Sequence, residues 1–262
     1  MKIIVCIKQV PLRDAQLRVD TSGRWIDESD LGFEINEPDA YALEEALQLR
    51  EKHGGEVVVV CAGPPRAAQT IREALAKGAD RAIHIETEAT SVDHLGSCDT
   101  LELARLLAAS VGPEKADLIF TGLQSDDLGY GQTGVVLAEV LGLPHATIVM
   151  QVEITGDGIR VRRELEDGFF QNVEIPLPAL LTIQSGINKL RYATLIGIKQ
   201  AKNKPMKKLS FDEMKPALGD NLQKIEKLYI PQKTKKTEVM EGPPAEIAKK
   251  LVEKLRNELR VI

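Results

Sequence analysis

The sequence predicts an α/β fold, a doubly wound and mostly parallel sheet with helices on both faces. Up to Ala146, apolar runs of strand length alternate with amphipathic helical segments, a pattern typical of right-handed β-α-β crossovers. The apolar runs are nearly continuous, which indicates strands that are buried on both faces. The chain has 262 residues and a hydrophobic content of 43%, which is enough for a sizeable core.

Strands and helices are expected to alternate along this part of the chain. The predicted strands span residues 3–7, 57–61, 82–85 and 118–121, and residues 17–20 and 24–27 form a small hairpin. The predicted helices span residues 38–53, 67–77, 99–110 and 132–141. Asn36 is suited to cap the first helix, and Gly78 and Gly142 end the second and the fourth.

After Ala146 the pattern becomes rich in strands. We expect strands at residues 149–154 and 179–183, and between them a β-hairpin, 159–163 with 169–175. From residue 201 onward Pro, Lys and Asn dominate and the periodicity fades. A helical stripe returns only at residues 244–259, through Ile247, Leu251, Val252 and Leu255. We interpret this basic segment and its terminal amphipathic helix as an arm that wraps a partner.

Composition argues against several classes of protein. No segment approaches the ~20 apolar residues of a membrane span, and the opening MKIIVCIK lacks a secretory cleavage site. We therefore expect a cytoplasmic protein, or one of the mitochondrial matrix in a eukaryote. The net charge of −5 and the single Trp give little support to nucleic-acid binding. Cys6, Cys61 and Cys98 form no CxxC pair, which indicates reduced packing thiols rather than a disulfide or a metal site.

A glycine-rich segment, TGLQSDDLGYGQTG, lies between a buried strand and a helix at residues 121–134. Ligands of open α/β sheets bind beyond the carboxyl ends of the strands, and a glycine-rich turn into a helix presents free N–H groups to an anion. Gln132 and Thr133 add an amide and a hydroxyl that suit phosphate oxygens. An ordinary capped helix after a loop is the alternative. Neither GxGxxG after the first strand nor an NTPase loop is present.

Conventional catalytic groups have weak support in the sequence. The histidines at positions 53, 84, 94 and 145 stand singly, without a Cys or Ser at a useful spacing. Asp126 and Asp127 could act as paired acids or metal ligands, but carboxylates beside glycines more often hydrogen-bond the loop backbone. We therefore expect no catalytic residue and no metal site.

Residues 161–192 carry an ordered set of side chains. In VRRELEDGFFQNVEIPLPALLT and IQSGINKLRY, a small apolar residue precedes a base, an acid-acid-glycine cluster, a Gln, an aliphatic residue and a PALLT segment. By periodicity alone the stretch is an ordinary edge hairpin. Together with MKIIVCIKQV, NEPDAYALEEAL, CAGPP, LQSDDLGYGQTG and RYATLIGIKQAKNKP, it resembles the beta subunit of electron transfer flavoproteins over most of the chain. The resemblance implies a Rossmann-related, adenine-nucleotide hydrolase-like fold.

The resemblance also implies an AMP without a catalytic role, and a carrier FAD that the alpha subunit mainly holds and this chain completes. Carried over onto this sequence, the cofactor-binding residues are Cys6, Asn36, Glu37, Pro38, Asp39, Ala62, Gly122, Gln124, Asp127, Gly129, Gly131, Gln132 and Thr133, with Gly134 packing behind. Many relatives read Asn-Pro where this chain has Asn36-Glu37-Pro38. Electron-bifurcating relatives hold a second FAD in this pocket, and several of them carry an aliphatic residue where Thr133 stands. We therefore expect AMP, with a second FAD as the alternative.

A loop for docking partner dehydrogenases is a further implication of the resemblance. Its residues are Gly186, Ile187, Asn188, Lys189, Arg191 and Tyr192. Ile187 takes the position of an exposed aliphatic anchor in a polar rim, and Leu190 replaces the usual proline before Arg-Tyr. An ordinary loop with an inward-facing Ile187 is the alternative.

The implied function is that of the beta subunit of a heterodimeric electron transfer flavoprotein, an electron carrier rather than an enzyme. Its expected partners are the alpha subunit, donor dehydrogenases of the acyl-CoA or trimethylamine type, and a downstream acceptor such as a quinone oxidoreductase. Residues 1–200 would form the α/β nucleotide-binding domain, and residues 201–262 an arm whose terminal helix contacts the alpha subunit. Two other classes stay open. One is a self-contained adenine-nucleotide-binding enzyme or sensor that uses Asp126, Asp127 and Thr133 on a phosphate, and the other is a structural partner protein with an empty pocket.

Overall fold

The computed structural model describes residues 1–87, 99–156, 158–214, 222–232 and 237–261. The chain divides into two compact units, Met1–Leu228 and Tyr229–Ile262. Cys98 and His94 lie outside the described residues.

Most of the regular structure belongs to the first unit. Its strands are β1 (Lys2–Cys6), β2 (Gln9–Pro11), β3 (Phe33–Ile35), β4 (Glu56–Gly63), β5 (Arg81–Glu86), β6 (Leu118–Gly122), β7 (His145–Ile154), β8 (Gly158–Glu164), β9 (Phe170–Pro176), β10 (Ala179–Ile183) and β11 (Met206–Ser210). Its helices are α1 (Glu37–His53), α2 (Ala67–Lys77), α3 (Thr100–Val111), α4 (Thr133–Leu141), α5 (Leu195–Ala201) and α6 (Phe211–Met214).

Within the described residues, nine strands form one sheet in the order β11-β5-β4-β1-β6-β10-β7-β8-β9. Neighbouring strands from β11 to β7 are parallel, and β8 and β9 extend the sheet in antiparallel fashion. The predicted fold class is therefore confirmed. The chain runs outward from β1 through β4 to β5 and then returns to β6 on the other side of β1. A topological switch point consequently lies between β1 and β6, where open α/β sheets bind their ligands.

Both faces of the sheet are buried, as the continuous apolar runs predict. Ile3 and Val5 of β1 belong to one core cluster, which includes residues of α1 and α2, whereas Ile4 belongs to a second cluster, which includes residues of α3 and α4. All three side chains are fully buried. Because successive residues of a strand point to opposite faces, a strand between two cores shows no polar alternation.

Both predicted hairpins are present, although one is smaller than expected. The β8–β9 hairpin turns at Asp167 and Gly168, whose φ values of 55° and 76° lie in the left-handed region. The predicted hairpin at residues 17–27 is reduced to an isolated antiparallel bridge between Val19 and Ile26.

The first unit continues past residue 200, where the sequence interpretation places the start of the arm. β11 pairs in parallel with β5, with Met206 opposite Ala82. Lys207 and Lys208 are exposed on this edge strand, and lysines are common on edge strands because their charge opposes pairing with another chain. The lysine-rich composition that suggested an arm is thus also compatible with a strand.

The second unit contains α7 (Pro244–Asn257), so the predicted terminal helix forms. Pro244 stands in its first turn, where the absence of an N–H group costs little. No described residue of α7 is buried, and Leu251 and Val252 of its apolar stripe are 46% and 43% exposed. Among the helices in the described ranges, none combines the length and the apolar character needed to cross a membrane.

Candidate functional site

A cleft opens at the switch point of the sheet, beyond the carboxyl ends of β1, β4 and β6. The starts of α1 and α3 and the glycine-rich turn before α4 form its other walls. The predicted nucleotide-binding residues that line it are Cys6, Asn36, Asp39, Ala62, Gly122, Gln124, Gly131, Gln132 and Thr133. The other predicted residues belong to the same elements but do not line the cleft; they are Glu37, Pro38, Asp127, Gly129 and Gly134.

Asp39, in the first turn of α1, joins the ends of two strands. Its carboxylate accepts the backbone N–H of Lys8, just after β1, at 2.7 Å and that of Gly122, in β6, at 2.9 Å. Burial raises the pKa of Asp39 to about 7, although both N–H bonds favour the charged form. A Cβ atom at position 122 would lie 2.4 Å from Asp39 Oδ1. Glycine therefore allows the helix to approach the strand this closely.

Asn36 holds the glycine-rich turn through both polar atoms of its side chain. It occupies the predicted N-cap position of α1, but its side chain makes no capping hydrogen bond. Instead, Asn36 Nδ2 donates to Gln124 O at 2.9 Å, and Asn36 Oδ1 accepts the backbone N–H of Asp126 at 2.9 Å. Asp126 provides a cap in return, because its carboxylate accepts the backbone N–H of Glu37 at 3.2 Å.

Asp127 is held by Lys8. Lys8 Nζ lies 2.6 Å from Asp127 Oδ1, and the same oxygen accepts the backbone N–H of Leu128 at 2.7 Å. Burial raises the pKa of Asp127, but the Lys8 charge and the hydrogen bonds outweigh it, so this pKa lies below its ordinary value. Both aspartates of the turn thus stabilise the loop, which agrees with the structural interpretation of the pair. Within the described ranges, no group of His, Cys, Asp and Glu side chains could hold a metal ion.

The glycine-rich turn brings the N-terminus of α4 to the cleft. Gly129 and Gly131 have φ values of 66° and 63°, in the left-handed region that favours glycine. A Cβ atom at Gly134 would lie 2.5 Å from both Thr121 Oγ1 and Thr182 Cγ2, so α4 packs directly on β6 and β10. No side chain caps the first turn of α4, and its first N–H groups lack partners within the helix. Such a helix start is suited to bind an anion.

Two buried thiols lie near the cleft. Cys6 lines it, and Cys61 lies in the neighbouring strand β4; both are free. Burial raises the pKa of each thiol to about 12. Because the thiolate is the reactive form, both cysteines are neutral packing residues at physiological pH.

Part of the cleft wall was not predicted from the sequence. Asp99 caps α3 by accepting the backbone N–H of Glu102 at 2.7 Å, and it also accepts that of Leu222 at 2.5 Å. Residues 223–225, which follow Leu222, line the cleft. These residues lie in the part of the sequence that was interpreted as an arm. The sequence predicted Asp99 as the first residue of a helix at residues 99–110, whereas in the structure it is the N-cap of that helix.

The predicted docking loop is attached to α1 by two of its polar residues. Arg191 forms ion pairs with Glu44 at 2.7 Å and with Glu51 at 2.6 Å, and its hydrogen bonds to both carboxylates raise its pKa. Asn188 Nδ2 donates to Tyr41 O at 3.2 Å. These contacts anchor the loop to the body of the protein, so Arg191 and Asn188 already have partners within this chain.

The exposed apolar surface of this region lies beyond the predicted anchor. Ile187 is half-buried and packs against the core, while Gly186 and Lys189 on either side of it are exposed. Three side chains form what we call the apolar patch: Tyr192, Leu195 and Ile196, which are 94%, 86% and 70% exposed. The exposed aliphatic side chains of the region therefore stand at the start of α5.

Comparison with known proteins gives a consistent result over the whole chain. The family model of the electron transfer flavoprotein domain matches residues 24–214. The chain is 39% identical to the electron transfer flavoprotein subunit beta of Methylophilus methylotrophus, with 97% of each chain covered. It is 34% identical to the protein of the same name from Bacillus subtilis, with 100% of each covered. The corresponding protein of Bos taurus is 35% identical, with 98% of this chain and 97% of the relative covered.

Proposed function

The chain belongs to the electron transfer flavoprotein beta-subunit family, and on that basis we propose that it carries electrons as the smaller subunit of a heterodimer, between donor dehydrogenases and a downstream acceptor. The family is one of electron carriers, not of enzymes. Its partner would be the alpha subunit, its donors dehydrogenases of the acyl-CoA or trimethylamine type, and its acceptor a protein such as a quinone oxidoreductase. We place it in the cytoplasm, or in the mitochondrial matrix if its source is a eukaryote.

The cleft at the switch point supports AMP as the nucleotide held by this chain. Its wall includes the start of α4, where the first-turn N–H groups, the amide of Gln132 and the hydroxyl of Thr133 form a donor set that suits a phosphate. The wall also includes the apolar side chains of Leu103 and Leu107, which suit a base. The residues present therefore fit an adenine nucleotide. A second FAD in this cleft is the alternative within the family.

We further propose that the alpha subunit mainly holds the carrier FAD and that this chain completes its surroundings. The flavin, when bound, supplies the electron-transfer chemistry. This chain would contribute two surfaces. The unburied apolar stripe of α7 is suited to the alpha subunit, and the apolar patch is suited to the donor, because exposed apolar side chains within a polar surface are typical of binding sites.

A self-contained adenine-nucleotide enzyme or sensor has less support. Asp126 and Asp127, its candidate acids, already bind the N-terminal backbone of α1 and the Lys8 ammonium. A structural partner protein with an empty pocket has no observation in its favour.

Flavin and nucleotide content test the proposal directly. The chain should be purified with its alpha subunit, the complex denatured, and the released cofactors separated and quantified. We expect AMP and FAD in equal amounts. Two FAD molecules and no AMP would establish the second-FAD alternative, and absence of flavin would contradict the electron-carrier role. Hydrolysis of ATP by the chain alone would support the enzyme or sensor instead.

Thr133→Val provides the corresponding test of the phosphate position. Loss of one hydrogen bond to a charged phosphate should weaken AMP binding by about 1 to 2 kcal/mol, while electron transfer by the assembled complex stays near normal. Thr155→Val is a matched control, because Thr155 lies in the turn between β7 and β8, away from the cleft. Unchanged AMP content in the Thr133 variant would place the phosphate elsewhere.

Truncation after Lys236 tests the role of the arm. The first unit holds the sheet and should still fold, but the variant lacks α7, so recovery of the heterodimer and its FAD occupancy should fall together. Co-purification of the truncated chain with full flavin content would show that α7 is not needed for assembly.

A further inference from the structure

Residues 222–228 form a segment at the end of the first unit, which we call the strap, and both of its ends are hydrogen-bonded to other parts of that unit. Leu222 N donates to Asp99 Oδ2 at 2.5 Å, and Leu228 N donates to Gly23 O at 2.8 Å. Between these two bonds, residues 223–225 line the nucleotide cleft. The strap is therefore part of the cleft wall, and hydrogen bonds of its backbone N–H groups hold both of its ends.

The carboxylate of Asp99 binds two elements of the cleft wall, the start of α3 and the strap. Its side chain is buried, with 8% exposure, and its two oxygens accept the backbone N–H groups of Glu102 and Leu222. Burial raises the pKa of Asp99, but these backbone hydrogen bonds outweigh it, so the pKa lies below its ordinary value and the group is ionised at neutral pH. Hydrogen bonds to a charged acceptor are the stronger kind. The start of α3 and the strap are thus positioned by the same charge.

Two cations line the cleft, and among the described residues only one of them is paired with a carboxylate. Its acidic lining residues, Asp39 and Asp99, are both occupied by backbone N–H groups, and Lys8 is paired with Asp127 at 2.6 Å. Lys224 also lines the cleft and has no carboxylate partner among the residues that the structure describes. A phosphate monoester carries a charge of about −1.5 to −2 at pH 7. The dipole of α4 alone amounts to about half a positive charge, so a cation in the same cleft would balance more of the phosphate charge.

We propose that Lys224 binds the phosphate of the nucleotide in the cleft and that Asp99, by holding Leu222, is the residue that positions it. This inference rests on the proposed function, because it requires a phosphate-bearing nucleotide at the switch point. It makes the strap part of the nucleotide site. It also adds to that site a residue that lies far along the chain from the glycine-rich turn. The ligand class is a nucleoside monophosphate, or the adenylate portion of a dinucleotide.

The test compares AMP with adenosine, which lacks the phosphate. The heterodimer is stripped of nucleotide, and both ligands are titrated by calorimetry. Lys224→Gln should weaken AMP binding by about tenfold or more, since it removes a charge-assisted contact, and should leave adenosine binding unchanged. Lys224→Arg should retain most of the AMP affinity. Lys227→Gln is the matched control, because Lys227 belongs to the same strap but does not line the cleft.

Asp99→Asn tests the positioning role through non-additivity. If Asp99 acts through Lys224, the Asp99→Asn variant should weaken AMP binding, and the double variant should bind AMP no more weakly than Lys224→Gln alone. Equal AMP affinity of wild type and Lys224→Gln would overturn the inference and leave the proposed function intact. Equal loss of AMP and adenosine would also overturn it, because the strap would then be only structural. Failure of the wild-type complex to bind AMP at all would overturn both.

Discussion

The carboxylate of Asp39 accepts the backbone N–H of Gly122 at 2.9 Å, and no room for a side chain remains between them. This contact joins the start of α1 to the end of β6, the strand that borders the switch point. The same carboxylate binds the backbone after β1. One buried acid thus joins the elements that form the floor of the cleft, so small substitutions at the positions around it should destabilise the protein.

Gly122→Ala should destabilise the protein by about 1 to 3 kcal/mol, the usual cost of overpacking. The added Cβ would lie 2.4 Å from Asp39 Oδ1 and 2.7 Å from the Cβ of Pro38, so α1 must move away from the strand. Urea denaturation measures the change. Gly112→Ala is the control, because Gly112 is in helical conformation with no neighbour closer than 4.0 Å. The control should be neutral or slightly stabilising. Equal stability of both variants would contradict the close approach.

Asp39→Asn should alter the pH dependence of stability. The pKa of Asp39 is raised from 3.8 to about 7 in the folded chain, so between those values the folded state binds more protons than the unfolded state. Its contribution to stability is therefore fully present below the unfolded pKa and is lost as the pH rises through about 7. The slope from one group is at most about 1.4 kcal/mol per pH unit.

The measurement for Asp39 is the free energy of unfolding from pH 4 to pH 8, in wild type and in Asp39→Asn. The free energy of unfolding of wild type should fall relative to that of Asp39→Asn as the pH rises through this window. The exposed residue Asp14 supplies the control, Asp14→Asn. Parallel curves for wild type and Asp39→Asn would show that the pKa of Asp39 is ordinary.

Arg191→Gln should destabilise the protein by about 3 kcal/mol, because it leaves the buried carboxylate of Glu44 without a cation. The Glu44 side chain is only 5% exposed. Arg160→Gln is a matched control, since Arg160 pairs with the 72% exposed Glu174. Such exposed pairs contribute about 1 kcal/mol or less. Thermal melting of both variants compares the two losses of stability. Similar melting temperatures would show that Arg191 is not a structural residue.

Leu195→Ala should weaken the binding of the donor dehydrogenase by about tenfold or more without changing the melting temperature. Leu195 is 86% exposed, so it contributes little to the core, whereas truncation of an interface anchor typically costs ~2 kcal/mol. Ile187→Ala should behave in the opposite way, because Ile187 packs against the core. It should lower the melting temperature and leave donor-dependent reduction kinetics near normal. Normal stability with impaired kinetics in the Ile187 variant would restore Ile187 as the docking anchor.

Several parts of the fold and the cleft could be predicted from the sequence because their signals are local. The helix at Ala67–Lys77 was predicted residue for residue from its apolar periodicity and the glycine that follows. The turn before α4 was predicted from its glycines, two of which adopt left-handed conformations. By contrast, the strand at residues 206–210 was not predicted, because an edge strand rich in lysine carries no apolar alternation strong enough to distinguish it from an arm.

The sequence by itself determined the alternation of strands and helices, the doubly wound sheet, the position of the glycine-rich turn and the family. Each of these depends on periodicity, turn residues or motif order within short stretches of chain. Only the tertiary structure decided which polar groups build the cleft and which residues of the docking region are exposed. Asp39 and Gly122 are 83 positions apart, and Asp99 and Leu222 are 123 positions apart. Contacts at such separations leave no periodic trace, because they arise only when crossover helices bring distant strand ends to one edge of the sheet.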